Sequence, residues 1–360
     1  MAVAMTTLRK AIWLAWVIAA AGALLGQSSG PMTLHVYVNT IQVPVLVLGP
    51  KLNRVGPIAT NRFSVSFDSG PRFPVSHARL EGDDPISLTI LLDVSGYSAR
   101  LMSNVSDGIA GLAPNWLHPH DNVSIYALDC TLTRSAELPA EASILKRAVD
   151  NALAPWRSRT SVEHAGGCKQ TIHLWDALVY ATNRLRELPG RRVILVLTDG
   201  NDEGSRNTWN ELRLFAQTSA VAVFAVRSTA VSPETTLDSS FAPWQVSSIY
   251  SRAMEDPLNG VCQLSGGVVF TTDERSLAKT LQRFTSILRE RYIVEFPRPK
   301  GTAGPHDMEV RVNKGADYFI RPTGISVPIA DPALARDPTT VPTNPAHEPE
   351  MGTRKILTPN

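Results

Sequence analysis

Five oxygen-bearing side chains in the sequence have the types and spacing that could bind a divalent cation. Asp93 ends the apolar run ISLTILLD, and Ser95 and Ser98 follow it closely. Asp199 ends a second apolar run, RRVILVLTD, and Thr171 lies between the two runs, just ahead of LWDAL. Hard cations such as Mg²⁺ prefer oxygen ligands in an octahedron and keep several waters. These residues therefore predict a magnesium-type site with a position open to a partner's carboxylate.

The apolar runs that end in these acids have the composition of β-strands buried on both faces. Between residues 86 and 290, four further strand-like runs alternate with amphipathic helical segments such as LWDALVYATNRLREL. This alternation predicts an α/β domain with a doubly wound, mostly parallel six-stranded sheet, in which TLTRSAEL is the third strand along the chain. Ligands of such sheets bind beyond the carboxyl ends of the strands. Asp93 and Asp199 are therefore expected at one edge of the sheet.

Other interpretations of the acidic residues remain open. Asp93 and Asp199 could instead cap the helices that follow their strands. Asp202, in the same loop as Asp199, is expected to be a solvated loop charge. No Walker loop, Rossmann glycine fingerprint or HExxH motif is present, and no nucleophile–base pair can be assembled from the sequence. The sequence therefore favours a protein that is not an enzyme.

Charge and composition exclude one large class of partner. The chain has 360 residues, of which 43% are hydrophobic and 19% are charged, and its formal net charge is only +2. The sequence also lacks a cluster of Lys and Arg residues. Because proteins that bind nucleic acids carry basic patches that neutralise phosphates, a nucleic-acid partner is not expected.

The N-terminus has the order of charged and apolar residues typical of a secretory signal peptide. Arg9 and Lys10 precede the uncharged run AIWLAWVIAAAGALL, and small and polar residues follow it. Residues 1–26 are thus predicted to be a signal peptide cleaved after Ala23 or Gly26. The mature protein is then exported to the periplasm, the cell envelope or the medium. A retained anchor is the alternative, although a membrane span needs about 20 apolar residues.

Two β-rich segments flank the predicted α/β domain of residues 86–290. In residues 33–80 and 291–322, short apolar strand-like runs are separated by turn residues. Each segment alone has too few strands for independent stability, and domain termini commonly lie close together. We therefore predict that the two segments fold together as one small flanking β domain. Residues 331–360 are rich in Pro and Thr without apolar periodicity, which predicts a disordered tail.

The acidic residues and their order resemble those of a von Willebrand factor type A (VWA) domain. That family binds a metal through a D-x-S-x-S motif, a distant Thr and a distant Asp, which form its metal-ion-dependent adhesion site. Asp93 and Ser95 match the first two positions of the motif, and Asp199 matches the distant Asp. The order of strands and helices over residues 86–290 is also similar to that of the family.

Two positions depart from the family's motif. Tyr97 stands where the second Ser belongs, and Ser98 follows one residue later. Ile172 stands where the distant Thr belongs, and Thr171 lies one place early. A phenol is too long to replace a serine at a Mg²⁺–oxygen distance of ~2.1 Å, so Tyr97 is expected to point away from the ion or to cover it partly. The ligands that the resemblance implies for Mg²⁺ or another divalent cation are Asp93, Ser95, Ser98, Thr171 and Asp199.

More narrowly, the chain resembles the acidobacterial-type VWFA-related secreted proteins over roughly residues 1–322. The segments RERYIVEFPRP and LSGGVVF carry this resemblance. It implies an exported binding or adhesion protein that engages a protein partner, such as one presenting an acidic residue, through the loops at the carboxyl edge of the sheet. Membrane contact would come only from an uncleaved N-terminal segment. The alternative is a metal-independent structural or assembly subunit of a cell-envelope complex.

The three cysteines have different expected states. Cys130 follows the second predicted strand and Cys168 lies in the loop before LWDAL, which places both at the same end of the sheet. In an oxidising compartment they are predicted to form a disulfide. Cys262 lies on a helix, at a position where the family tends to have a small apolar residue, and is predicted to be buried and free.

Overall fold

The structure, a computed structural model, describes most of the chain between residues 40 and 327. The described residues are 40–129, 131–160, 173–230, 255–298, 304–314, 318–323 and 325–327. The predicted signal peptide, the predicted tail, Cys130, Cys168 and Thr171 lie outside them. All the described residues belong to one compact unit. Within them, no helix has the length and apolar character needed to cross a membrane.

Strands and helices alternate through the middle of the chain, and short strands flank them on both sides. The strands, in chain order, are β1 (Thr40–Leu48), β2 (Phe63–Phe67), β3 (Phe73–Pro74), β4 (His77–Leu80), β5 (Ile86–Asp93), β6 (Asn122–Leu128), β7 (Leu132–Arg134), β8 (Leu138–Pro139), β9 (Arg191–Leu197), β10 (Val221–Ser228), β11 (Val269–Thr272), β12 (Tyr292–Pro297), β13 (Gly304–His306), β14 (Met308–Val312), β15 (Phe319–Pro322) and β16 (Ile325–Val327). The α-helices are α1 (Val105–Ala110), α2 (Ala142–Thr160), α3 (Leu174–Leu185), α4 (Trp209–Thr218), α5 (Pro257–Ser265) and α6 (Leu277–Arg289).

The central sheet is mostly parallel, as the sequence predicts. Its strand order is β11-β10-β9-β5-β6-β7, and β8 also pairs with β6. The five strands from β11 to β6 run parallel, whereas β7 and β8 are antiparallel to β6. The sheet has seven strands where six were expected, because the run TLTRSAEL forms two short strands. Between them, the Ser135 hydroxyl accepts the N–H of Ile125 at 2.9 Å in place of a main-chain carbonyl, which interrupts the ladder.

Helices cover both faces of the central sheet. One apolar cluster packs α1, α2 and α6 against the sheet, and a second cluster packs α3, α4 and α5 against it. Alternate residues of β9 divide between the clusters, since Leu195 and Leu197 belong to the first and Ile194 and Val196 to the second. Each such side chain contributes about 1.5–3 kcal/mol when it is fully buried. This two-sided burial explains why the strands read as continuous apolar runs.

Two antiparallel sheets join the segments that flank the α/β region in sequence. One has the strand order β15-β1-β12-β4 and the other β14-β2-β3. In the first, Val43 of β1 lies opposite Val294 of β12, and in the second, Val65 of β2 lies opposite Val310 of β14. A third apolar cluster fills the space between these strands. Leu46 of β1 also packs into the first apolar cluster, that of the α/β region. The domain boundaries inferred from the sequence remain a prediction.

A buried ion pair lies where the chain passes between the β layer and the α/β region. Arg291, just before β12, donates two hydrogen bonds of 2.7 Å to the carboxylate of Glu81, just after β4. The Glu81 N–H also donates to the Arg291 carbonyl at 2.7 Å. The two side chains are 1% and 0% exposed. Each charge therefore depends on the other for compensation.

Two glycines in LSGGVVF allow α5 to turn into β11 beside β10. Gly266 ends α5 with φ 97°, a left-handed conformation that side chains rarely adopt. A Cβ on Gly267 would lie 2.0 Å from the carbonyl oxygen of Val223 in β10. Any larger residue at Gly267 would force β10 and this turn apart.

Candidate functional site

The carboxyl ends of β5 and β9 bring Asp93 next to Thr198. These neighbouring strands are parallel, and Leu92 lies opposite Leu197 in their register. The residues that follow this pair are Asp93, which ends β5, and Thr198, which comes directly after β9. Both are 0% exposed. Asp199 follows directly and is 5% exposed. The two carboxylates thus lie at the same edge of the sheet.

The carboxylate of Asp93 is held by three donors. Its Oδ1 accepts the N–H of Ser95 at 3.0 Å and the hydroxyl of Ser95 at 2.5 Å. Its Oδ2 accepts the hydroxyl of Thr198 at 2.6 Å. The Gly200 N–H in turn donates to the Thr198 hydroxyl at 3.1 Å. Among the described residues, the groups hydrogen-bonded to Asp93 are two hydroxyls and an amide, and none of them is cationic.

Burial dominates the titration of Asp93. Removal from water raises its pKa to about 6, and the hydrogen bonds from Ser95 and Thr198 only partly offset this rise. The negative charge of Asp199 adds to it. A divalent cation bound at this edge would oppose both effects and favour the ionised form of Asp93.

Ser98 and Tyr97 lie in the 3-10 helix Gly96–Ser103 that follows β5. Ser98 is 0% exposed, and its hydroxyl donates to the main-chain carbonyl of Ser95 at 2.5 Å. The hydroxyl proton of Ser98 is thus used within this turn. The side chain of Tyr97 and the whole of Thr171 lie outside the described part of the chain, so the predictions for these two residues stay predictions.

A buried arginine lies beside the acidic edge. Arg227, at the end of β10, donates two hydrogen bonds of 2.9 and 2.8 Å to Asp256, which precedes α5. Burial alone would lower the pKa of Arg227, but Asp256, with a smaller contribution from Asp199, raises it. Gly200, with φ 89°, packs close to the guanidinium, since an added Cβ would lie 3.2 Å from Nη2. Asp199 therefore lies near a permanent positive charge.

Two residues of this edge were missed or misread from the sequence. Thr198 was not singled out, although a hydroxyl residue directly before the second acid was the available signal. Asp202 is not a solvated loop charge as expected, because its carboxylate accepts the N–H of Trp175 at 3.1 Å and the hydroxyl of Ser205 at 2.5 Å. The cause is the neighbouring start of α3, which leaves main-chain donors without intrahelical partners.

The oxygen atoms at this edge could bind a hard cation only as a set that combines carboxylates, hydroxyls and water. In the part of the chain that the structure describes, no group of three or more His, Cys, Asp or Glu side chains is arranged to hold a metal ion. A cation here would take carboxylate oxygens from Asp93 and Asp199, hydroxyl oxygens, and water. The hydroxyl proton of Ser95 is donated to Asp93, which leaves the Ser95 oxygen lone pairs available to an ion.

Comparisons with known proteins give distant structural matches only. No family model matches the chain, and no curated protein is significantly similar to it. Among solved structures, proximal thread matrix protein 1 (PTMP1) from the mussel byssus matches at 12% identity and a TM-score of 0.39, over 59% of this chain and 50% of that one. One structure of PTMP1 has a zinc-occupied MIDAS motif.

Two bacterial structures are also similar to this chain. The pilus adhesin SpaC from Lactobacillus rhamnosus GG matches at 9% identity and a TM-score of 0.39, over 64% of this chain and 35% of that one. The conserved hypothetical protein BatB from Bacteroides thetaiotaomicron matches at 16% identity and a TM-score of 0.35, over 57% of this chain and 99% of that one. This chain thus spans half or less of PTMP1 and SpaC. Scores this low carry no conclusion about family or function, so the VWA resemblance rests on the residues and strand order of the chain itself.

Proposed function

We propose that this protein is an exported, non-enzymatic binding protein of VWA type that engages a protein partner at the carboxyl edge of its central sheet. The observation that carries the proposal is the state of Asp93. Its buried carboxylate has a pKa of about 6, lies beside Asp199, and is stabilised by hydroxyls and an amide. Export rests on the predicted signal peptide of residues 1–26.

In this proposal a divalent cation supplies the missing positive charge at the edge. Asp93, Ser95 and Asp199 would hold the ion, with Ser98 and Thr171 as the remaining candidate ligands and water in the other positions. With so few side-chain ligands, Mg²⁺ binds more weakly than in a complete site, and Mn²⁺ binds better, following the general order of affinities. A coordination position left to water is open to a carboxylate of the partner.

A second function is favoured by Arg227. Its guanidinium, paired with Asp256 near Asp199, already places positive charge at this edge and disfavours a divalent cation there. The same scaffold then serves as a metal-independent structural or assembly subunit of a cell-envelope complex. Its partner would contact the carboxyl-edge loops without a bridging ion.

Calorimetric titration of the mature protein with Mg²⁺ and Mn²⁺ tests the cation. We expect binding of both ions, tighter for Mn²⁺, and loss of binding in Asp93→Ala. Asp83→Ala is the matched control, because Asp83 precedes β5 at the opposite edge of the sheet and its side chain is 84% exposed. Tight Mg²⁺ binding that survives Asp93→Ala would refute the site, and binding of neither ion would favour the metal-independent function.

The partner is sought by pull-down from an envelope fraction, once with Mn²⁺ and once with EDTA. The first proposal predicts a protein that is captured with the ion, released by EDTA, and not captured by Asp93→Ala. Capture that is equal under both conditions would support the metal-independent subunit instead. Asp83→Ala again serves as the control and is expected to capture the same protein as the wild type.

A further inference from the structure

The N-terminus of α3 is capped by a loop distant in sequence. His173 occupies the cap position but makes no side-chain capping bond. Instead, Oδ1 of Asp202 accepts the N–H of Trp175 at 3.1 Å, and the hydroxyl of Ser205 accepts the N–H of Asp176 at 3.1 Å. Both acceptors belong to the loop that follows β9. The first turn of α3 is therefore completed by the loop that also carries Asp199.

The capping is reciprocal, because the side chain of Asp176 in α3 holds the same loop. Its Oδ2 accepts the N–H of Arg206 at 3.0 Å. Its Oδ1 accepts the N–H of Asn207 at 3.0 Å and the side-chain amide of Asn207 at 2.7 Å. Burial would raise the pKa of Asp176, but these hydrogen bonds lower it below its usual value. We call Asp176, Asp202, Ser205 and Asn207 the α3 clamp.

Three residues of the α3 clamp, Asp202, Ser205 and Asn207, lie in the loop that follows β9. Residues 198–208 contain no helix or strand. The loop starts at the end of β9 and ends at Thr208, which caps α4 through a reciprocal bond with Glu211. Between these ends, the clamp ties the loop to a helix of the second apolar cluster. The Asp199 carboxylate accepts the N–H of Asn201 at 3.2 Å, and Asn201 is the residue directly before Asp202. The clamp therefore holds the segment whose main chain hydrogen-bonds to Asp199.

We propose that Asp176 and Asp202 are positioning residues for the cation site, because the clamp that they form holds the Asp199 loop in register with Asp93. The inference rests on the proposed cation-dependent function and adds two residues that would not touch the ion. Groups that orient metal ligands from outside the coordination sphere typically change metal affinity by 10–100-fold when they are removed. The clamp also links the start of α3 to occupancy of the site.

The test compares Mn²⁺ affinity, measured by calorimetry, in full-length mature variants. Asp202→Ala and Asp176→Ala are expected to raise the Kd by about tenfold or more. Asp202→Asn keeps an acceptor for the N–H of Trp175 and is expected to stay within about threefold of the wild type. The matched control is Asp273→Ala, because Asp273 accepts the N–H of Ser276, the residue directly before α6, at 2.7 Å. Asp273 follows β11, which lies two strands away from β9.

Hydrogen exchange at the amides of Trp175, Asp176, Arg206 and Asn207 reports separately on the clamp. In Asp202→Ala we expect faster exchange at Trp175, with the core strands still protected. If exchange rises but the Kd of both alanine variants stays within twofold of the wild type, the clamp is only a helix cap and the inference is overturned. If the wild type binds no Mn²⁺ at all, the cation-dependent function fails, and the clamp's role in it fails for that separate reason.

Discussion

The hydroxyl of Thr198 donates a 2.6 Å hydrogen bond to Oδ2 of Asp93, across the ends of two neighbouring parallel strands. The same hydroxyl accepts the N–H of Gly200 at 3.1 Å. Thr198 therefore connects the carboxylate at the end of β5 to the turn that carries Asp199. The two acidic loops behave as one hydrogen-bonded unit at this edge.

Replacing this hydroxyl is expected to destabilise the protein. Thr198→Val keeps the shape of the side chain but removes the donor to Oδ2 of Asp93 and the acceptor of the Gly200 N–H. The loss should be about 1–3 kcal/mol at pH 7, measured by urea unfolding. Thr285→Val is the matched control and should lower the stability less, because the buried hydroxyl of Thr285 donates to the carbonyls of Leu281 and Gln282 in its own helix. Equal losses in both variants would contradict a special role for Thr198.

The raised pKa of Asp93 predicts an unusual dependence of stability on pH. In the unfolded chain the group titrates near 3.8, and in the folded protein near 6. Between these values the folded state binds more protons, so stability falls as pH rises through this window and stays reduced above it. Between pH 4 and pH 7.5, the free energy of unfolding of the wild type, measured by urea unfolding in EDTA, should include a decrease of about 2–3 kcal/mol that Asp93→Asn lacks. The same change with pH in both proteins would contradict the assignment.

Cation binding should weaken as Asp93 takes up its proton. Below pH 6 the proton competes with the ion, and the Mn²⁺ affinity should fall by about tenfold for each further pH unit. Calorimetry at pH 7.5 and pH 5, in buffers of different ionisation enthalpy, would show the change in affinity and the release of about one proton at pH 5. An affinity that is the same at both pH values would exclude Asp93 as a ligand.

Removing one partner of the buried pair of Glu81 and Arg291 should destabilise the protein strongly. Replacing both side chains by apolar ones should destabilise it much less. Arg291→Met alone leaves an uncompensated buried carboxylate and should lower the free energy of unfolding by about 3–5 kcal/mol. The double variant Glu81→Leu, Arg291→Met should recover most of that loss. Arg311→Met is the control, because Arg311 and its partner Glu309 have side chains that are 49% and 34% exposed. A double variant no better than the single one would contradict this account.

The cysteines should differ in reactivity. Cys262 is buried and forms no disulfide, and burial raises the pKa of its thiol, so a thiol reagent should label it only after unfolding. The predicted disulfide between Cys130 and Cys168 should appear as one linked peptide in a non-reducing digest of the exported protein. Labelling of Cys130 and Cys168 in the folded, non-reduced protein would refute that bond.

The sequence by itself determined the layout of the α/β region. Apolar runs long enough for strands alternate with amphipathic helices, and this local periodicity reports burial directly. The carboxyl ends of parallel strands meet at one edge, so the order of elements placed Asp93 and Asp199 at the same edge of the sheet. The expectation that their strands are neighbours came from the VWA resemblance. Local pattern was less reliable where the ladder was irregular, as at Ser135, whose hydroxyl divides one predicted strand into two.

Only the tertiary structure decided which polar groups are partners. Asp202 reads as a loop charge in sequence, but the N–H that it accepts belongs to Trp175, 27 residues away. Glu81 pairs with Arg291, which lies 210 residues further along the chain. Nothing in local periodicity encodes such pairs, because hydrogen bonds depend on positions within about 3 Å that packing of distant elements sets. The layout of the edge was therefore readable from the sequence, whereas the bonds that hold its carboxylates depend on the folded chain.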